Sequence, residues 1–239
     1  LFSNISAEIG NEISTFPDYP AEIRAPQGTV GGVSGFQVHI GLGKIYTPGD
    51  EADVFVAMNP AALKVNIHKV KKGGAIIYDE NSFLKSDLTK AGFITDNPFT
   101  ELAVSESTTL IPTQLTNLTQ TSLEGFGLDN KDVLRCKNMF ALGLICWLFN
   151  RPIDKAEQFI QQKFRKKPAV LQANIKVLND GFNYGNNLHL SIPTYSIERS
   201  DQTPPGKYTS ISGNTATAYG LIAAAEKAGL QLFLGSYPI

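Results

Sequence analysis

A strand–helix–strand pattern between Asp53 and Tyr78 constrains this chain more than any other feature. Asp53 to Met58 holds a nearly unbroken apolar run, Val54, Phe55, Val56 and Ala57, the composition of a strand covered on both faces. Asn59 then offers a capping side chain and Pro60 a first-turn proline, so a helix begins there. The pattern predicts that it runs to about Lys71, with Leu63, Ile67 and Val70 on its apolar side. Lys71 and Lys72 suit the negative C-terminal end, and Gly73 closes the helix. Ala75 to Tyr78 supplies the next strand. Two strands joined this way form a right-handed parallel crossover, so the fold class is α/β.

The remaining elements follow from the same signals. Residues 1–9 read as helix, with Leu1, Ile5 and Ile9 on one face. Glu12 to Phe16 reads as a strand stopped by Pro17 and Pro20. Glu22 to Gly35 is loop, carrying Pro26, Gly28, Gly31 and Gly32. Gly35 to Gly43 alternates as a half-buried strand. A helix starts at Asn81 or Ser82 and ends at Gly92. A strand near Ala103 and a helix across Thr109 to Leu118 are expected next. From Asn130 the chain is helical, over about 131–149, 152–165 and 168–184. Residues 186–207 are polar, aperiodic and proline-bearing, as in an interdomain linker. Beyond them, Tyr208–Ser212 and Gln231–Leu234 read as strands flanking a helix from Gly213 to Ala228, closed by Gly229.

Charge narrows the function classes. The 239 residues hold 21 basic and 22 acidic side chains, a formal net charge of −1, which points to neither nucleic acid nor an anionic membrane. The longest apolar run, Met139 to Phe149, would span about 16 Å as a helix, near half of a bilayer core. It reads as a buried core helix. Cys136 and Cys146 are the only cysteines, about 15 Å apart along one helix, too far for a disulfide. Two buried thiols and no charged-then-apolar leader pattern suit a reducing cytoplasm, and glycosylation at Asn4 or Asn117 is not expected. Two cysteines also cannot hold a four-thiolate iron–sulfur cluster. His39, His68 and His189 lack metal-ligand spacing. Both ends of the sequence fall inside periodic patterns, so a portion of a longer polypeptide is expected.

Several ordered stretches carry a family resemblance. They are Ser14–Arg24 (STFPDYPAEIR), Ala57–Leu63 with Gly73–Asp79, Arg135–Gly143 (RCKNMFALG), and Phe164–Lys167 with Asn174 and Gly181–Phe182. Together they resemble the gamma-type domain of 2-oxoacid:ferredoxin oxidoreductases. Ser212–Ala216 and Ser236–Ile239 resemble the opening of the alpha subunit of the same enzymes. Gamma ahead of alpha is the order of the 2-oxoglutarate-type alpha subunits. The resemblance implies a three-layer gamma-type domain with a mixed, mostly parallel sheet and a helical flank, over residues 1–185 and truncated at its N-terminal side. A linker, 186–207, and the first β-α-β unit of a thiamine-diphosphate-binding-type alpha domain, 208–239, would follow. The glycine-rich loop of the family is not in this sequence, nor is the Thr-Pro that usually follows Tyr-Pro-Ile.

The implied chemistry is oxidative decarboxylation of a 2-oxoacid on thiamine diphosphate with Mg, transfer of the acyl group to coenzyme A, and electron passage through an iron–sulfur cluster to ferredoxin. Thiamine diphosphate and cluster would sit on a beta subunit, so the chain is expected to be inactive alone. Succinyl-CoA formation from 2-oxoglutarate is the leading expectation. Pyruvate, branched-chain oxoacids or indolepyruvate as substrate, or a non-catalytic assembly module, are the alternatives. The resemblance sets Tyr237, Pro238 and Ile239 on the thiamine side; a plain strand end and turn is the other reading. Arg24, with backbone N–H groups of Gly28, Gly31 and Gly32, is a candidate contact for a coenzyme A phosphate, or else orders a subunit contact. Gly41-Leu42-Gly43-Lys44 is a strand end plus turn, and Lys163, Arg165, Lys166 and Lys167 are a solvated helix end. Asn138 reads as a capping or bracing residue.

Overall fold

A computed structural model of the chain describes residues 1–18, 33–188, 194–200, 204, 206–208 and 211–235. They form two compact units, 1–202 and 203–239.

In the first unit, α1 (Phe2–Ile9) buries Ser3, Ile5 and Ser6 and ends at Gly10. β1 (Glu12–Asp18) pairs antiparallel with β2 (Gly35–Gly41), Glu12 opposite Gly41 and Asp18 opposite Gly35. The strand thus continues past Pro17, where the sequence predicts a stop, because proline's missing donor costs nothing on an edge.

β3 (Ala52–Ala57) leads into α2 (Pro60–Asn66), and Asn59 Oδ1 caps it by accepting from Ala62 N at 2.8 Å. The helix is shorter than its periodicity suggests. It tightens into a 3₁₀ turn over Ile67–Lys69, and β4 (Val70–Asp79) begins where further helix was expected. Ile67 and Val70 still pack on the same cluster as Leu63. Gly73 and Gly74 form an irregularity inside β4 rather than a helix stop: Ala52 faces Val70, but Val54 faces Ala75. Gly73 has φ 81°, and a Cβ on Gly74 would lie 2.9 Å from Asp53 O. Only glycines let the strand shed its surplus residues there.

α3 (Lys85–Lys90) and α4 (Pro98–Glu101) follow, the second capped by Asn97. No strand forms near Ala103, which sits at φ 50° in a turn. The strand is instead β5 (Thr109–Thr113), and the helix expected from Thr109 starts later, as α5 (Leu115–Ser122). Thr109, Ile111 and Thr113 are β-branched and suit a strand. The sheet order is β3-β4-β5, all parallel, and among the described residues β5 ends it, where Pro112 is tolerated.

α6 (Asn130–Arg135), α7 (Lys137–Leu148), α8 (Asp154–Phe164) and α9 (Pro168–Asn186) form the expected helical flank, but the single helix expected over about 131–149 is broken at Cys136 into α6 and α7. From Met139 onward α7 is apolar on every side, because it lies between two layers. Leu144 and Leu148 pack on Ala75, Ile77 and Ile111 of the sheet. Toward α9, Gly143 and Gly181 let the two backbones touch: a Cβ on Gly143 would stand 2.1 Å from Leu178 O. The other sheet face, with Ala57 and Ile76, is covered by Leu63 of α2. Helix, sheet and helix therefore make three layers.

Part of the stretch read as a linker lies along this unit. Tyr195 N donates to Leu148 O, Ser200 N donates to Gly10 O, and Tyr195 stacks on Phe149 with centroids 4.9 Å apart.

In the second unit, α10 (Gly213–Ala228) is capped by Ser212 and closed by Gly229, at φ 65°. The expected flanking strands have no ladder partner among the described residues, so 211–212 and 230–235 are not β-structure.

Candidate functional site

In open α/β sheets, ligands gather at the carboxyl ends of the parallel strands. Here that end is organised by Asp79, the last residue of β4, whose side chain is fully buried. Ser82 Oγ donates to Oδ2 at 2.8 Å, Thr116 Oγ1 at 2.9 Å and Lys137 Nζ at 2.9 Å. Thr116 N donates to Oδ1 at 3.4 Å. One carboxylate therefore ties together the turn after β4, the N-terminus of α5 and the N-terminus of α7. Asn81 Oδ1 adds a second tie by accepting from Asn117 N at 3.0 Å.

Burial raises the Asp79 proton affinity, but the hydrogen bonds from Lys137 and Ser82, the Lys137 charge and the Thr116 hydroxyl outweigh it. The carboxyl is held below its ordinary value and is ionised at neutral pH. It is an anchor rather than a general base. Lys137 is one-fifth exposed and keeps further N–H donors at this end of the sheet. The sequence carries little sign of this cluster. Asp79 shows only as an acid closing an apolar run, and Lys137 stands 58 residues away.

A concavity of about 370 Å³ lies beside β3, away from Asp79. Its walls are mostly apolar, including Phe2, Phe36, Val38, Val54, Val56 and Phe149. Asp18 and Lys69 close one part of the wall with an ion pair at 3.2 Å.

The residues singled out in the sequence are not brought together by what is described. Arg24, Gly28, Gly31 and Gly32 lie outside the described residues, as do Tyr237, Pro238, Ile239 and His189. His39 Nδ1 contacts Thr47 O at 2.8 Å, beside Gln37, which donates to Pro48 O and Gly49 O; both brace a loop. Asn138 is exposed in the first turn of α7. Lys163 lies over the Phe159 and Phe164 rings.

No three His, Cys, Asp or Glu side chains gather as a metal site among the described residues. Cys136 and Cys146 are both buried and free, in separate core clusters. Burial pushes the Cys146 thiol up to about 12, against the opposing pull of Arg151. These thiols do not fit an iron–sulfur cluster, which needs several thiolates converging on one point. No described helix is long and apolar enough to cross a membrane.

Comparison with known proteins bears on the family and the fold. The model of the pyruvate ferredoxin/flavodoxin oxidoreductase family matches residues 1–184. The 2-oxoglutarate oxidoreductase subunit KorA of Mycobacterium tuberculosis is 46% identical over 238 residues, covering 100% of this chain. The chain spans 36% of that relative's length. The 2-oxoglutarate:ferredoxin oxidoreductase of Magnetococcus marinus, solved with 2-oxoglutarate, coenzyme A and succinyl-CoA bound, shares the fold. Its TM-score is 0.65 at 22% identity, over 98% of this chain and 40% of that one.

Proposed function

Since the chain belongs to the pyruvate ferredoxin/flavodoxin oxidoreductase family, we propose that it is part of a subunit of a 2-oxoglutarate:ferredoxin oxidoreductase. The complex would convert 2-oxoglutarate to succinyl-CoA and pass the electrons to ferredoxin. The observation that carries this reading is 46% identity along the whole chain to a 2-oxoglutarate oxidoreductase subunit.

Within this reading, 1–185 is the gamma-type domain, 186–207 the linker and 208–239 the start of the alpha domain. Thiamine diphosphate, with its Mg, supplies the carbanion chemistry in the complex. Tyr237, Pro238 and Ile239 are proposed to border it, and Arg24 with Gly28, Gly31 and Gly32 to meet a coenzyme A phosphate. The iron–sulfur cluster and the diphosphate site belong to a beta subunit, in keeping with the absence of a four-cysteine set in this sequence. Buried free thiols suit a cytoplasmic location.

The test is reconstitution. The full-length subunit, its beta partner, thiamine diphosphate, Mg and coenzyme A should reduce ferredoxin when 2-oxoglutarate is added. Turnover should be slower with pyruvate, branched-chain oxoacids and indolepyruvate. No reduction with any 2-oxoacid would remove the reading, and a preference for another oxoacid would correct the substrate. Arg24→Ala should raise the KM for coenzyme A about tenfold with little change for the oxoacid, the loss of one charge-assisted contact.

A further inference from the structure

Four cations fall within five residues where α8 gives way to α9: Lys163, Arg165, Lys166 and Lys167. All four are exposed. Other charges on the same two helices are paired. Lys155 meets Glu8 at 3.5 Å, and Lys176 meets Asp180 one turn along its own helix. Among the described residues, none of the four cations has an ion-pair partner.

Helix electrostatics accounts for only part of this run. Lys163 lies in the last turn of α8, where a cation is favourable. Lys167, however, is the N-cap of α9, a 19-residue helix with no acidic residue in its first turn. A lysine ammonium accepts no hydrogen bond, and α9 has no side-chain cap. The charges of Lys166 and Lys167 also oppose the positive end of that helix. The second half of the expected solvated helix end is therefore a place where local stability is given up, as happens at functional surfaces. Phe159, 38% exposed, adds an aromatic face beneath the Lys163 ammonium.

We propose that this corner is a docking surface for an acidic protein, the ferredoxin that takes up the electrons, which rests on the reading of the complex as a ferredoxin-reducing enzyme. The corner offers only cations around one aromatic side chain, so the surface it fits is anionic. A lysine-rich, exposed patch does not suit a permanent subunit contact, whose core is apolar and depleted of lysine. It suits a partner that must arrive and leave in each turnover. Electron-transfer encounters use small interfaces, and opposite charges speed the approach.

The test combines Lys163→Gln, Arg165→Gln, Lys166→Gln and Lys167→Ser in the full-length subunit, assembled with its beta partner. Binding of ferredoxin to parent and variant complexes is read by surface plasmon resonance, which needs no turnover. Affinity should fall about tenfold at low salt, and the difference should vanish near about 1 M salt, where charges are screened within about 3 Å. In turnover, the KM for ferredoxin should rise by a similar factor, while the KM values for 2-oxoglutarate and coenzyme A stay within about twofold. Lys167→Ser alone supplies the cap that α9 lacks, so it should melt no lower than the parent and still bind ferredoxin more weakly. Ferredoxin affinity that is absent in the parent or unchanged in the variant would overturn the proposal. So would a raised KM for coenzyme A in its place, or loss of the beta subunit on sizing. A complex that binds ferredoxin through this corner yet reduces it with no 2-oxoacid would uphold the docking and remove the enzymatic reading.

Discussion

Asp79 shows how much one buried side chain can organise. Its folded proton affinity lies below the unfolded one, so it contributes stability at pH above the ordinary carboxylate range. That contribution fades as the pH falls through the folded value. Lys137→Met leaves the carboxylate buried without its cation, and should cost about 3 kcal/mol at pH 7. The acid limb of unfolding should also move to higher pH, since the carboxyl then protonates sooner. Urea titrations at pH 7 and at pH 4 read both effects; equal stability of variant and parent at both would refute them. Cys146 gives a second prediction. With its thiol pushed up to about 12 by burial, it should resist iodoacetamide in the native protein and react after denaturation. Thiol counting by mass checks this. Both cysteines are legible in the sequence as buried and unbridged, although Cys136 stands at the break between α6 and α7 rather than in one helix with Cys146. The Asp79–Lys137 pair is not, because no local pattern links its members.

At the scale of elements, the contact between α7 and α9 is decided by two missing side chains. Alanine ordinarily favours a helix by about 1 kcal/mol over glycine. Here Gly181→Ala would set a methyl 2.1 Å from Phe140 O, and Gly143→Ala would meet Leu178 O as closely. Each should destabilise by about 2 kcal/mol or more, because backbone cannot yield as a flexible side chain does. Thermal melts with either alanine variant as stable as the parent would show that the helices sit farther apart. Asn59→Ala removes the α2 cap and should cost about 1 kcal/mol. The cap was readable from Asn59-Pro60 alone. The end of α2 was not. Helical spacing at Leu63, Ile67 and Val70 continues into β4 because one apolar surface receives both elements.

Across the whole molecule, α10 is the outlier. It has sound caps at both ends, yet none of its residues is buried, and Tyr219, Leu221 and Ile222 are more than half exposed. A helix apolar on several sides is stable only when covered. In the full-length protein, 213–228 should resist limited proteolysis at concentrations that cut exposed loops. Rapid cutting there would show that the helix stays uncovered. The chain spans 36% of its relative's length, and among the described residues the second unit holds a single regular element, α10.

The sequence by itself determined the strand–helix–strand centre, the buried helical flank, the absence of a cluster-binding cysteine set and the family. Those depend on periodicity, caps and ordered local motifs, which neighbouring residues carry on their own. Tertiary structure decided where β4 begins, that 109–113 is strand, and that 230–235 is not. It also decided that Asp79 meets Lys137. Each of these depends on partners far along the chain, since a ladder or a buried charge exists only relative to what stands beside it.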